Sequence, residues 1–148
     1  MSRTTPALAI AAVLMTGTRP AVADATITND PGGRIGTYIQ KFEVLRLSGQ
    51  RVIVAGTCSS ACTMLLGIIP RSRICATPAA VFQFHTAWDL SPAGRQVVSE
   101  AGNRVLWSKY PADIRGWISR HGGLGERVIA LSGSALARMV PACRNLNR

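Results

Sequence analysis

Residues 52–66 read Val52-Ile-Val-Ala-Gly-Thr-Cys-Ser-Ser-Ala-Cys-Thr-Met-Leu-Leu66. The β-branched run that opens this stretch predicts a buried strand, and the small residues from Ala55 predict a tight turn into an apolar helix beginning at Ala61. Ser60 lies at this break, where the turn presents one side chain and the first helical N–H groups can stabilise negative charge. The stretch therefore predicts an α/β fold with Ser60 as a candidate nucleophile. Small residues also occur wherever a helix packs closely on a sheet, so a second feature is needed.

That second feature is an apolar strand that ends in a histidine. Residues 80–85 read Ala80-Val-Phe-Gln-Phe-His85, and a Gly32-Gly33 turn follows another short strand near the amino end. In sheets with parallel strands, functional groups gather at the carboxyl ends of the strands. We therefore expect Ser60, His85 and the glycine turn to meet at one edge.

The remaining segments alternate between strand and helix patterns. A strand from Arg73 to His85 is predicted, with an interruption near Thr77-Pro78, and this order favours a largely parallel sheet. The first predicted helix has a core-facing stripe of Ile35, Ile39, Phe42, Leu45 and Leu47. A second helix is predicted over residues 91–109, with Val97, Val98, Ala101, Val105 and Leu106 facing inward. A last helix is predicted over residues 134–140, and His121 before a Gly-Gly turn indicates a helix C-terminus.

The amino end has the pattern of a secretory signal peptide over residues 1–23. Arg3 is followed by an apolar run from Ala7 to Met15 and by Ala21-Val-Ala23 as a cleavage signature. The apolar run is too short for a stable membrane span. We therefore predict one domain over residues 24–148 in the periplasm or outside the cell; a buried N-terminal helix is the alternative.

The chain is basic, with a formal net charge of +10 over 148 residues. Such a balance is compatible with binding to nucleic acid or to another anionic surface. However, the arginines are scattered, and no basic run is interleaved with aromatic residues. The pattern indicates solvated faces and argues against a nucleic-acid partner.

Four cysteines follow the predicted signal peptide, at Cys58, Cys62, Cys75 and Cys143. An even number in an exported chain predicts two disulfides, for which three pairings exist. Because Cys75 opens the strand that returns after the Cys62 helix, we favour a bridge from Cys75 to Cys58 or Cys62. A zinc site is the alternative, but the spacing lacks the compact pattern of zinc-binding motifs. No metal or other cofactor is predicted.

Three blocks resemble the proteolytic subunit of the Clp protease. They are the turn Asn29-Asp-Pro-Gly-Gly33, the segment Gly56-Thr-Cys-Ser-Ser-Ala61 and the strand Ala79-Ala-Val-Phe-Gln-Phe-His85. The resemblance implies the ClpP/crotonase fold, a spiral of strand-helix units with a largely parallel sheet that commonly forms rings or trimers. It further implies that Ser60 is the nucleophile and His85 the general base, with the N–H groups of Gly33 and Ala61 forming an oxyanion hole.

The third member of a catalytic triad has no clear counterpart. In the region where the family has its aspartate, Glu126 is the only acidic residue. Asp89 and Asp113 are the other candidates for the triad acid. Asp113 also fits a charge at a helix N-terminus, and Asp89 also fits a turn. A Ser-His pair without an acid can retain some activity, because positioning and the oxyanion hole supply part of the rate.

Two functions follow from the sequence. The first is a serine peptidase-like hydrolase that acts without ATP on peptide or ester carbonyls of short peptides or unfolded polypeptides. The second is a catalytically weak or inactive protein of the same fold that serves in binding or assembly. A homo-oligomer is expected in either case, and a coenzyme A-dependent crotonase activity is disfavoured because an exported protein would not meet that cofactor.

Overall fold

The computed structural model describes residues 23–144. The signal-peptide prediction therefore lies outside the described residues, apart from Ala23. The strands are β1 (Ala25–Asp30), β2 (Val52–Ser59), β3 (Ile74–Ala76), β4 (Val81–Phe84), β5 (Trp88–Leu90), β6 (Gln96–Val98) and β7 (Ile129–Ser132). The α-helices are α1 (Ile35–Ser48), α2 (Leu65–Ile68), α3 (Glu100–Lys109), α4 (Ala112–Arg120) and α5 (Gly133–Ala137). Two 3-10 helices cover Ser60–Met64 and Arg71–Arg73.

The central strand of the main sheet is β2. It pairs in parallel with β1 along one side, and along the other side with β3 through its first half and with β4 through its second half. The predicted interruption near Thr77-Pro78 is confirmed, since β3 and β4 are separate strands on either side of it. Strand β7 closes the sheet by pairing antiparallel with β4. The fold is therefore α/β with a mostly parallel sheet, as predicted.

The helices bury apolar residues against this sheet. Phe42 of α1 is fully buried, and Ile35, Ile39 and Leu45 are partly buried beside it. Leu47 was wrongly assigned to the same stripe, because it is 75% exposed. It lies five residues after Phe42, which places it about 140° around the helix axis.

The prediction of one helix over residues 91–109 is wrong in its first half. Strands β5 and β6 form an antiparallel hairpin there, and α3 begins only at Glu100. Gly94 adopts a φ of 72° in the turn, which glycine accepts without steric cost. Val97 and Val98 are 43% and 46% exposed rather than inward-facing. Ala101 and Val105 in α3 are also exposed, so Leu106 is the one buried member of the predicted stripe. Ser99 caps α3 by accepting from the N–H of Gly102.

The favoured disulfide pairing is also wrong, although the number of disulfides is confirmed. The bridges join Cys58 to Cys62 and Cys75 to Cys143. Cys75 lies opposite Ile53 at the start of β2. Cys58 lies five residues further along β2, which is about 16 Å at ~3.3 Å per residue and well beyond the reach of a disulfide. All four cysteines are bridged, so none is available as a zinc ligand.

The carboxyl-terminal segment returns to β3. Cys143 donates its N–H to the carbonyl of Ala76, beside a short bridge between Ala76 and Ala142. The predicted last helix is present as α5 but ends at Ala137. No helix within residues 23–144 is long and apolar enough to cross a membrane.

Candidate active site

Ser60 stands directly after β2, at the first position of a 3-10 helix. Its φ of 55° makes it the only residue other than glycine with a positive φ among residues 23–144. A side chain in this region of backbone space is uncommon and marks a conformation held by its surroundings. The Cys58–Cys62 disulfide spans the turn with Cα atoms 5.4 Å apart, and both cysteines are fully buried.

A chain of hydroxyl groups holds the carbonyl of Ser60. Thr63 Oγ1 donates to the Ser60 carbonyl oxygen at 2.6 Å and lies 2.7 Å from the hydroxyl oxygen of Tyr110. Since the single proton of Thr63 is used on the carbonyl, Tyr110 must donate to Thr63. Burial raises the pKa of Tyr110 to about 12. Tyr110 therefore stays a neutral donor at physiological pH.

The glycine turn after β1 lies against the Ser60 turn. Gly32 has a φ of 83°, and a Cβ built on it would lie 2.6 Å from the Cβ of Ser60 and 3.0 Å from the backbone nitrogen of Ala61. Both the backbone conformation and the close approach require glycine at this position. The predicted meeting of the glycine turn with Ser60 is therefore present in the structure.

Asp30 fixes the glycine turn from its other side. Its carboxylate accepts from the N–H of Gly32 at 3.0 Å, from Lys41 Nζ at 3.0 Å and from the hydroxyl of Tyr38. Burial alone would raise the pKa of Asp30, but the hydrogen bonds from Tyr38, Gly32 and Lys41 outweigh it and hold that pKa below its usual value. Burial and the bond to Asp30 raise the pKa of Tyr38 to about 12.

The N–H of Gly32 donates to Asp30, so the next N–H group in this turn, that of Gly33, is the one available to a ligand. The N–H of Gly33 donates no hydrogen bond to any residue in the described part of the chain. Gly33 lines the cavity at this edge of the sheet, and the Ala61 nitrogen lies at the contact between the two turns. Ala61 is the second residue of the 3-10 helix, and the first N–H groups of a helix have no intrahelical acceptor.

A cavity of about 680 Å³ opens at this edge of the sheet. Ser60 and His85 both line it, as the strand ends predicted. Its walls come from the glycine turn, the β5–β6 hairpin and α3, and include Ile35, Ala87, Trp88, Ala101, Val105 and Leu106. A volume of this size holds a short peptide segment or another small ligand.

His85 is oriented by the main chain. Its Nδ1 lies 2.7 Å from the carbonyl oxygen of Thr86. A carbonyl oxygen only accepts, so Nδ1 carries a proton, and in the neutral form of the ring the lone pair lies on Nε2. His85 and Ser60 line the same cavity but are not hydrogen-bonded to each other in the described structure.

None of the three candidate acids is hydrogen-bonded to His85, and all three belong to the described residues. Asp113 pairs with Arg71 at 3.2 Å and accepts from the N–H of Ile114 at the start of α4, which is the helix-terminal role considered from the sequence. Asp89 lines the cavity with His85 but lies exposed on β5. Glu126 is exposed in the segment between α4 and β7.

His121 is separate from the cavity, as its sequence context predicted. It caps α4, stacks on Trp117 with ring centroids 4.0 Å apart, and bonds through Nδ1 to the Trp117 carbonyl at 2.7 Å. Tyr110, Trp117 and Ile118 are buried in the core.

The chain was compared with models of known protein families and with curated protein sequences. Neither comparison found a match. The resemblance to the Clp proteolytic subunit therefore stays a prediction that rests on the three sequence blocks.

Several residues that build the site were not found from the sequence. The role of Asp30 could have been predicted locally, because an aspartate before Pro-Gly-Gly can accept a hydrogen bond from the backbone N–H two residues later. Tyr38, Thr63 and Thr86 had no local signal, since their partners are set by how α1, α3 and the strands pack. Asn103 of α3 belongs to the same group, since it reaches Thr86 and Ala87 only when α3 packs beside them.

Proposed function

We propose that the chain is a serine hydrolase that cleaves peptide or ester carbonyls with Ser60 as nucleophile and His85 as general base. The observation that carries the proposal is the cavity shared by Ser60, held at a φ of 55°, and His85, whose Nε2 is free to accept a proton. A strained turn and an imidazole at one edge of a sheet are the parts from which such sites are built.

The proposed reaction proceeds in two steps. Ser60 Oγ attacks the substrate carbonyl carbon, its proton passes to His85 Nε2, and the oxyanion accepts hydrogen bonds from the N–H groups of Gly33 and Ala61. The intermediate collapses as His85 protonates the leaving amine or alcohol. Water then hydrolyses the acyl-serine ester with His85 again as base, which restores both residues.

The proposal includes a ClpP-like spiral, a homo-oligomer and a periplasmic or secreted location. The mostly parallel sheet and the close pairing of the glycine turn with the Ser60 turn support the fold. The two disulfides support an oxidising compartment. Outside the cytosol no ATP is available to drive an unfoldase, so short or unfolded polypeptides are the proposed substrates.

The test is labelling of the purified, oxidised protein with a fluorophosphonate, which phosphonylates activated serines, followed by mass mapping. We expect labelling at Ser60 that disappears in Ser60→Ala. The matched control is Ser59→Ala, the same substitution one residue earlier, at a side chain outside the cavity lining; it keeps the label. A folded protein that takes no label would refute the hydrolase and favour the binding or assembly protein, since no carboxylate among the described residues is hydrogen-bonded to His85.

A further inference from the structure

Asn103 of α3 holds the short segment that follows His85. Its Oδ1 accepts from the backbone N–H of Ala87 at 2.7 Å, and its Nδ2 donates to the hydroxyl of Thr86 at 2.7 Å. Thr86 and Ala87 are only 1% and 7% exposed. One side chain thus binds two consecutive residues directly after the candidate base.

The same segment is held at two further points. Thr86 donates its N–H to the carbonyl of Gly125, and the carbonyl of Ala87 accepts from the N–H of Ser99, both at 2.8 Å. The backbone of Asn103 in turn donates to the carbonyl of Ser99 at 2.9 Å, so Asn103 and Ser99 belong to one turn at the start of α3. These backbone hydrogen bonds fix the segment on both sides of the Thr86 carbonyl, which lies 2.7 Å from His85 Nδ1.

We propose that Asn103 is a positioning residue for His85, and that Asn103 with the Thr86 carbonyl takes the place of a triad acid. Asn103 does not touch His85 or a reacting atom. It fixes the peptide whose carbonyl selects the tautomer with Nδ1 protonated and Nε2 free. The usual carboxylate selects the same tautomer by accepting from Nδ1 directly. The catalytic consequence rests on the proposed function, whereas the orientation of the imidazole does not.

The proposal predicts a pattern among variants. Asn103→Leu has a similar shape but loses both hydrogen bonds, so the Thr86 carbonyl is no longer held and His85 samples both tautomers. Asn103→Asp retains both contacts, because one carboxylate oxygen accepts from Ala87 and the other accepts the Thr86 hydroxyl, which reverses its direction. Asn103→Asp should therefore behave like the unmodified protein. Ser108→Ala, an exposed change later in α3, is the control for perturbing that helix.

The first measurement is the ¹⁵N–¹H spectrum of the imidazole rings, which distinguishes protonated from bare ring nitrogens. The chain has only two histidines, and His121 is an internal control because its Nδ1 also bonds to a carbonyl at 2.7 Å. We expect Asn103→Leu to convert the His85 signals from the Nδ1–H tautomer to a mixture while those of His121 stay unchanged. An unchanged His85 spectrum in Asn103→Leu would overturn the proposal.

The second measurement is the rate of fluorophosphonate labelling at Ser60. Displacement of a catalytic group by about 1 Å can slow a reaction about 100-fold, so we expect Asn103→Leu to slow labelling by about 10- to 100-fold. Asn103→Asp and Ser108→Ala should label at the unmodified rate, and equal slowing in Asn103→Asp would contradict the proposal.

The two measurements separate the two ideas. If the unmodified protein takes no label, the hydrolase fails, while the ring spectra still test the positioning role. If Asn103→Leu alters both histidines, the fold is affected, and Thr86→Val replaces it as the milder change. This variant removes the Thr86 hydroxyl with its hydrogen bonds to Asn103 and to the Ala87 carbonyl, and keeps the bond between Asn103 and the N–H of Ala87. A His85 spectrum unchanged in Thr86→Val would then count against the proposal, and a shift of His85 alone would support it.

Discussion

The contact between Gly32 and Ser60 leaves no room for a side chain, which makes Gly32→Ala a sharp test of the site. The new Cβ would lie 2.6 Å from both the Ser59 carbonyl oxygen and the Ser60 Cβ, on a backbone with a φ of 83°. We expect loss of Ser60 labelling and a fall in the free energy of unfolding of at least about 2 kcal/mol, measured by urea denaturation.

Gly36→Ala is the matched control for this change. Gly36 lies in α1, and a Cβ there would meet no atom within 4 Å. Alanine should stabilise the helix by about 0.5–1 kcal/mol and leave labelling unchanged. Equal labelling in Gly32→Ala and Gly36→Ala would show that the contact between the two turns has no part in forming the site.

At this scale, the sequence predicted residues whose roles depend on local pattern. Ser60, His85 and Gly33 were found because a strand end or a paired glycine marks each of them, and the cavity brings all three together. The Thr86 carbonyl could not be found in this way, since every residue has a carbonyl and only the packing of α3 directs this one at His85. The candidate acids Asp89, Asp113 and Glu126 could not be tested from the sequence either, since only the packed structure shows that none of them is hydrogen-bonded to His85.

At the scale of structural elements, the two disulfides stabilise different parts of the fold. The Cys58–Cys62 bridge closes a separation of 4 residues around Ser60, whereas the Cys75–Cys143 bridge closes 68 residues and ties the carboxyl-terminal segment to β3. In the chain-entropy model the short loop contributes about 2 kcal/mol and the long loop about 4 kcal/mol. The bridge that contributes less to overall stability is the one at the candidate site.

Replacing each pair with alanine should therefore separate stability from reactivity. We expect Cys58→Ala/Cys62→Ala to slow Ser60 labelling strongly with the smaller loss of stability. Cys75→Ala/Cys143→Ala should lose more stability yet keep its labelling rate under conditions where it is folded. Thermal unfolding and labelling rates, measured on the same preparations, check both statements; the opposite ranking would mean that the short bridge does not hold the Ser60 turn.

The elements that the sequence misassigned have separate physical causes. Val97 and Val98 fit an inward helical stripe, but Gly94 and the Ser91 turn favour a hairpin, and β-branched residues suit its strands. The antiparallel strand β7 was not predicted, because its four residues acquire a strand partner only when β4 is in place. The alternation of strands and helices was sufficient for the parallel part of the sheet, where β2 begins with a buried apolar run at Val52-Ile-Val54.

Across the whole molecule, two tyrosines stabilise the site, and each acts on one of its two turns. Tyr38 of α1 acts through Asp30 on Gly32, and Tyr110, after α3, acts through Thr63 on the Ser60 carbonyl. Both act as neutral donors. The site is therefore assembled by helices that are far apart in the chain, and it depends on the whole domain being folded.

This arrangement predicts how the protein responds to alkaline pH. The pKa of each tyrosine lies at about 12 in the folded state, against an ordinary value of 10.0. Since folding favours the neutral form, the stabilisation is complete below about pH 10 and is lost as the pH rises towards 12. We expect absorbance at 295 nm to show little tyrosinate in the folded protein at pH 10, whereas protein unfolded in guanidinium is half ionised there. Tyr38→Phe and Tyr110→Phe should each remove one of the two late ionisations. A folded protein that titrates near pH 10 at both tyrosines would contradict the burial of Tyr110 and the contact of Tyr38 with Asp30.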